Sequence, residues 1–283
     1  MTITKPSYAG GLKKSTFFFV CLALEVVVFA ILPLSARLPV NRLLYAQAGL
    51  SLILLLGTLY LRKSEIGKDY WQVAYVLFVA CVAVLSSTLF SGRLLNLFQF
   101  APASPQWIAL AKLSESILRV VPILTLMAII GGDRQSIYLR KGSLGLGLSV
   151  GIAGFVAFAG LAFMPLAKDP GMMGKLLSLS PWILIFVLAN GFAEELLFRA
   201  LFLRKYEPFL GKSLSNLLTA VVFTVVHVPV TYVPNVLQFL LIVFPLALIW
   251  GYLMQRTNGL WGSALFHAGA DCMIIFGIYA STS

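Results

Sequence analysis

Charge is what this sequence has least of. Only 11% of its 283 residues are Asp, Glu, Lys or Arg, while 60% are hydrophobic. With a mean hydropathy of +0.94, a soluble globular domain is excluded and a multi-span helical membrane protein is expected. Cysteine is nearly absent. Cys21, Cys81 and Cys272 each lie inside an apolar run without paired spacing, which excludes a disulfide framework and a zinc-ribbon site. Clustered base is also missing. The net charge of +11 is spread over short segments between apolar runs, so it reports membrane topology and not nucleic-acid binding. A cleavage site of small residues does not follow the first apolar run, so that run is read as a retained span.

What is there in quantity is apolar sequence in lengths of about 20 residues, enough to cross a bilayer as helix. Nine candidate spans fall at about 15–35, 42–61, 71–91, 107–130, 143–165, 181–203, 213–231, 235–254 and 259–280. The fold expected is an all-α polytopic bundle of about 8–9 transmembrane helices. An N-terminus in the cytoplasm puts Lys5, Lys13, Lys14, Arg62, Lys63, Lys68, Arg134, Arg140, Lys141, Arg204, Lys205, Lys212 and Arg256 inside. It leaves Arg37, Arg42, Arg93, Lys168 and Lys175 outside, a bias that favours this orientation and an outward C-terminus. Met1 to Leu12 reads as a short tail. Residues 1–175 are taken as N-terminal helices of unassigned role and 176–283 as the core that carries the chemistry.

Few ionisable groups interrupt the early spans. Glu25 sits in span one. Lys112, Glu115 and Arg119 share one face of span four, at a spacing that suits a self-neutralised triplet directed into the bundle or along the interface. Gly142, Gly145, Gly147, Gly151 and Gly154 open span five and suggest close helix packing. They follow no strand, so a phosphate loop is not indicated.

The polar residues that matter gather in the last four spans. Asn190-Gly191-Phe192-Ala193-Glu194-Glu195-Leu196-Leu197-Phe198-Arg199 places two carboxylates and an arginine inside an apolar run. A charge there costs at least ~2.5–3.5 kcal/mol on insertion scales, which makes these residues a functional hypothesis. Glu195 and Arg199 are four apart on a helix and can neutralise each other; Glu194 is left for chemistry. Both histidines of the chain lie in apolar runs, His227 four residues after Phe223 and His267 four before Asp271. At 1.5 Å per residue, Glu194 lies about 14 Å, His267 about 12 Å and His227 about 20 Å from the cytoplasmic ends of their helices. Three helices could thus bring Glu194, His227, His267 and Asp271 together in the cytoplasmic half of the membrane.

Such a set suits an amide hydrolase that attacks with water. A glutamate serves as general base, one histidine orients the water, and the other faces the developing oxyanion. The same Glu194, His227 and His267 could instead ligate a divalent metal such as zinc, although the helical H-E-x-x-H pair is absent. No cofactor is the favoured reading. Glu/His/Asp relays also mark proton paths, so a proton-coupled transporter stays open, as does a non-catalytic partner.

At these residues the chain resembles the CPBP intramembrane proteases, also called the Abi or type II CAAX prenyl endopeptidase family. The motifs are Glu194-Glu195-x-x-x-Arg199, Phe223-x-x-x-His227 and His267-x-x-x-Asp271, in the family's order and each on its own span. The resemblance covers about 180–280. It implies an intramembrane endopeptidase in which Glu194 activates water with help from His227. His267 and Asp271 would form the oxyanion-side pair, with Glu195, Arg199 and Phe223 in support. It also implies a lipid-modified or membrane-embedded peptide or protein as substrate; other members of the family have immunity or scaffold roles. Many members carry Asn where this chain has Asp271. An ionised Asp cannot donate a hydrogen bond, so Asp271 is expected to orient His267 through a ring N–H.

Overall fold

The computed structural model describes residues 13–34, 39–65 and 67–281. The tail read over Met1 to Leu12 and the cation Arg37 lie outside the described residues. Among the described residues the architecture is all helix: α1 (Lys14–Leu34), α2 (Val40–Lys63), α3 (Trp71–Leu95), α4 (Pro105–Ile129), α5 (Leu144–Phe163), α6 (Pro170–Glu195), α7 (Leu203–Val226), α8 (Val236–Thr257) and α9 (Trp261–Ser281). A 3-10 turn at Arg134–Ile137 follows α4, and a π-turn at Leu196–Ala200 continues α6. Among the described residues seven of these helices, α2, α3 and α5 to α9, are long and apolar enough to cross a membrane. In hydrocarbon a backbone must satisfy its own N–H and C=O groups, which selects helices for such runs.

Local chemistry sets the boundaries. Ser104 Oγ accepts from Trp107 N ahead of Pro105, and Asp169 Oδ1 accepts from Gly171 N ahead of Pro170, each a side-chain N-cap with proline in the first turn. The Asp169 cap starts α6 well before the 181 expected, and Pro181 is carried inside the helix. Gly211, at φ 77°, breaks α7 into a short first segment and the apolar part that the sequence marked from 213. That part ends at Val226, short of the expected 231, because Pro229 lacks an N–H and restricts the residue before it.

The early helices pack directly on the late ones: α5 on α9, α4 on α6 and α1 on α7. Glu25 of α1 is fully buried and accepts a hydrogen bond from Tyr206 Oη of α7. The α5–α9 contact depends on missing side chains. A Cβ at Gly269 would stand 2.3 Å from Phe155 Cα, and one at Gly151 would stand 2.7 Å from the Gly262 carbonyl. Gly277 on the same helix has nothing within 4 Å. Gly269→Val should therefore lower stability by about 1–3 kcal/mol or more, while Gly277→Val changes it little, read by thermal unfolding in detergent.

Candidate active site

Helices α6, α7 and α8 meet around His267 of α9. Gly191 lets them do so: a Cβ there would stand 2.7 Å from the Ala264 carbonyl, so α6 approaches α9 at backbone distance. One turn on, Glu194 and Glu195 leave α6 on adjacent faces. The π-turn begins directly after them, with Leu201 N bonded to Leu196 O across five residues. Single-turn π insertions of this kind are frequent at functional sites.

Glu195 and Arg199 form a completely buried ion pair. Arg199 is held further by Nε donating to Ala247 O at 3.3 Å, with Phe223 and Trp250 rings 4.3 and 5.2 Å from its guanidinium carbon. The same Oε1 of Glu195 that meets Arg199 accepts from His267 Nδ1 at 3.0 Å. Trp250 stacks on the His267 ring at 4.1 Å and 6°. His267 is therefore fixed by Glu195 and Trp250. This corrects the expectation that Asp271 orients it: Asp271 Oδ1 is 3.7 Å from Nε2, and its Oδ2 accepts instead from Asn190 Nδ2 at 3.0 Å. Asn190 lies one turn before Glu194, so an amide from α6 occupies the carboxylate of α9 that was assigned to the histidine.

Glu194 differs from its neighbour. Its Oε2 is 3.6 Å from His267 Nε2, is buried, and has no hydrogen-bond partner among the described residues. His227 caps the end of α7, and its Nδ1 lies 2.7 Å from the Phe223 carbonyl. A carbonyl only accepts, so Nδ1 carries the hydrogen and Nε2 is left as the accepting nitrogen of the neutral ring. Glu194 and His227 line one cavity of about 200 Å³ with Lys112, Glu115 and Arg119 of α4 and Tyr232 of the α7–α8 connection.

The structure thus places Glu194, His227, His267 and Asp271 about one site, with Glu195, Arg199 and Phe223 beside them. It adds residues that sequence reasoning passed over. Asn190 and Trp250 gave no signal, being an amide and an aromatic in apolar runs. The α4 triplet did give one. Lys112 Nζ lies 2.8 Å from Glu115 Oε2, and Arg119 pairs with Glu115 as well, as its spacing indicated. Its place in the Glu194 cavity needed the α4–α6 packing.

Among the described residues, no group of three or more His, Cys, Asp and Glu side chains is gathered to hold a divalent metal. Both histidine Nδ1 atoms are engaged, and His267 Nε2 faces two carboxylates at nearly equal distance.

Residues 176–273 match the Rce1-like type II CAAX prenyl endopeptidase family. The Rce1-like segment runs from within α6 into α9 and contains all three motifs, in agreement with the resemblance read from them. It supports a protease of the CAAX type, in an integral membrane protein. Helices α1–α5 lie outside the Rce1-like match. No curated protein and no solved structure matches the chain.

Proposed function

We propose that this protein is an intramembrane endopeptidase that hydrolyses a peptide bond with water activated by Glu194. The observation that carries the reading is the buried Oε2 of Glu194, which has no hydrogen-bond partner among the described residues and lies in a cavity shared with His227. Every other member of the constellation already has a protein partner.

In this mechanism His227 Nε2 accepts a hydrogen bond from the water and orients it. Glu194 takes the water's proton as the oxygen attacks the substrate carbonyl carbon. The proton then passes to the leaving amide nitrogen as the C–N bond breaks. No covalent intermediate forms. The tetrahedral oxyanion is met by His267 Nε2, protonated for that purpose, and by the second N–H of Asn190. Asn190 thereby supplies the amide donor that position 271 lacks in this chain. Trp250 and Glu195 hold the His267 ring in the plane this requires.

The substrate is a peptide of a lipid-modified or membrane-embedded protein, presented from the bilayer. The excess of Lys and Arg at the end of the bundle carrying residues 64–70, 130–143 and 258–260 makes that end cytoplasmic. The test is a panel of prenylated C-terminal peptides and unmodified transmembrane peptides, given to the purified protein with and without a strong chelator. Cleavage of one class, undiminished by chelator, is the expected result. Loss of activity on chelation, restored by added zinc, would replace the glutamate mechanism with a metal one. Proton-driven uptake in liposomes without any cleavage would make the protein a transporter.

A further inference from the structure

A second polar cavity lies away from the Glu194 site, at the bundle end that carries most of the basic residues. Its volume is about 410 Å³, and its polar wall is built by Trp71, Gln72, Tyr75, Ser136, Arg204 and Lys205. Two adjacent cations dominate it. Lys205 is only 7% exposed, and Nζ donates to Gln72 Oε1 at 3.2 Å. Arg204 bonds Asn258 and lies over the Tyr138 ring. Among the described residues neither cation makes an ion pair. The nearby acid Glu207 is engaged by Tyr138 Oη and Gln255 Nε2. Burial and Glu207 raise the Tyr138 phenol well above its ordinary range, so it remains a donor. Asp133, also in the wall, caps Gln135 N with Oδ1.

Two donors in this wall are unused. Arg204 Nε and Ser136 Oγ are both buried without a hydrogen-bond partner among the described residues. A buried lysine beside a half-buried arginine, with idle N–H and O–H groups next to them, is costly unless an anion completes the set. The neighbouring cavity has the opposite character. It measures about 470 Å³, is lined by Leu124, Ile137, Leu139, Phe192 and Trp261, and shares Met127 and Gly132 with the polar one. A polar cationic chamber bordering an apolar one across Met127 and Gly132, at the ends of membrane helices, fits an amphiphile with an anionic head.

We propose that Arg204, Lys205 and Ser136 bind the phosphate of an anionic phospholipid, with an acyl chain in the adjacent apolar cavity. Phe192 is two residues from Glu194, and Trp261 opens the helix of His267, so the bound chain would brace both helices of the catalytic site. The assignment holds whether or not the protein cleaves peptides.

The test is native mass spectrometry on detergent-purified protein stripped of lipid, titrated with phosphatidylglycerol, phosphatidylcholine or inorganic phosphate. Wild type should bind phosphatidylglycerol at least about 10-fold more tightly than phosphatidylcholine, since charge-assisted hydrogen bonds to phosphate are shared but the net anion is not. Arg204→Gln/Lys205→Gln should erase that preference, and Ser136→Ala should reduce it without removing a charge. Lys63→Gln/Lys141→Gln, which removes two charges from the same end but outside the cavity, should retain it. Equal loss in that control pair would reduce the effect to surface charge and overturn the proposal. So would the absence of a preference in wild type, or binding of free phosphate without any lipid adduct.

Discussion

Glu194→Gln should lower kcat by about 10²–10⁴-fold, the range for losing a general base, with KM little changed. The substitution keeps the shape and removes only the ability to take a proton. Stability should hold, because Glu194 Oε2 has no hydrogen-bond partner among the described residues and stands 3.6 Å from His267 Nε2. The measurement is steady-state cleavage of the best peptide from the panel, beside a melting curve of the same preparation. A variant that cleaves at the wild-type rate would remove Glu194 from the chemistry.

Arg199→Ala should have the largest effect on stability in the molecule, about 3–5 kcal/mol, because it strands a carboxylate of zero exposure in the middle of the bundle. It also removes a guanidinium packed between Phe223 and Trp250. The double variant Glu195→Gln/Arg199→Met should be far less destabilised, since no unpaired charge remains. Its activity should still fall, because Glu195 Oε1 also fixes His267 Nδ1. Thermal unfolding in detergent of Glu195→Gln, Arg199→Met and the double variant closes the cycle. An Arg199→Ala protein as stable as wild type would show that the buried pair is not the clamp of this site.

Among the described residues the apolar runs made nine helices legible, because a bilayer leaves the backbone no other choice. The Glu195–Arg199 pair was legible too, since a four-residue spacing is local information. Where the helices bend or stop was less so. Pro181 looks like a boundary in sequence but lies inside α6, because Asp169 and Pro170 form a stronger start further upstream. The early end of α7 follows from Pro229, whose reach back along the chain was visible but not its extent.

The candidate site was read as a set of residues and not as a set of contacts. Helix periodicity gives the face of a residue, whereas partners across helices depend on how closely the helices approach. Gly191 permits that approach between α6 and α9, so Glu195 reaches His267 and Asn190 reaches Asp271. No spacing rule links positions so far apart in sequence. The same holds for α4. Its charged face was clear, but only the packing of α4 on α6 sets it in the cavity of Glu194.

The central claim is that water held by Glu194 and His227 attacks the peptide directly. A single turnover in heavy-oxygen water, followed by mass analysis of both the released peptide and the enzyme, tests it most directly. The account predicts one heavy oxygen in the new peptide carboxylate and none in the segment containing Glu194. An unlabelled peptide with label on Glu194 would mean that the glutamate itself had attacked the carbonyl, and would contradict the account.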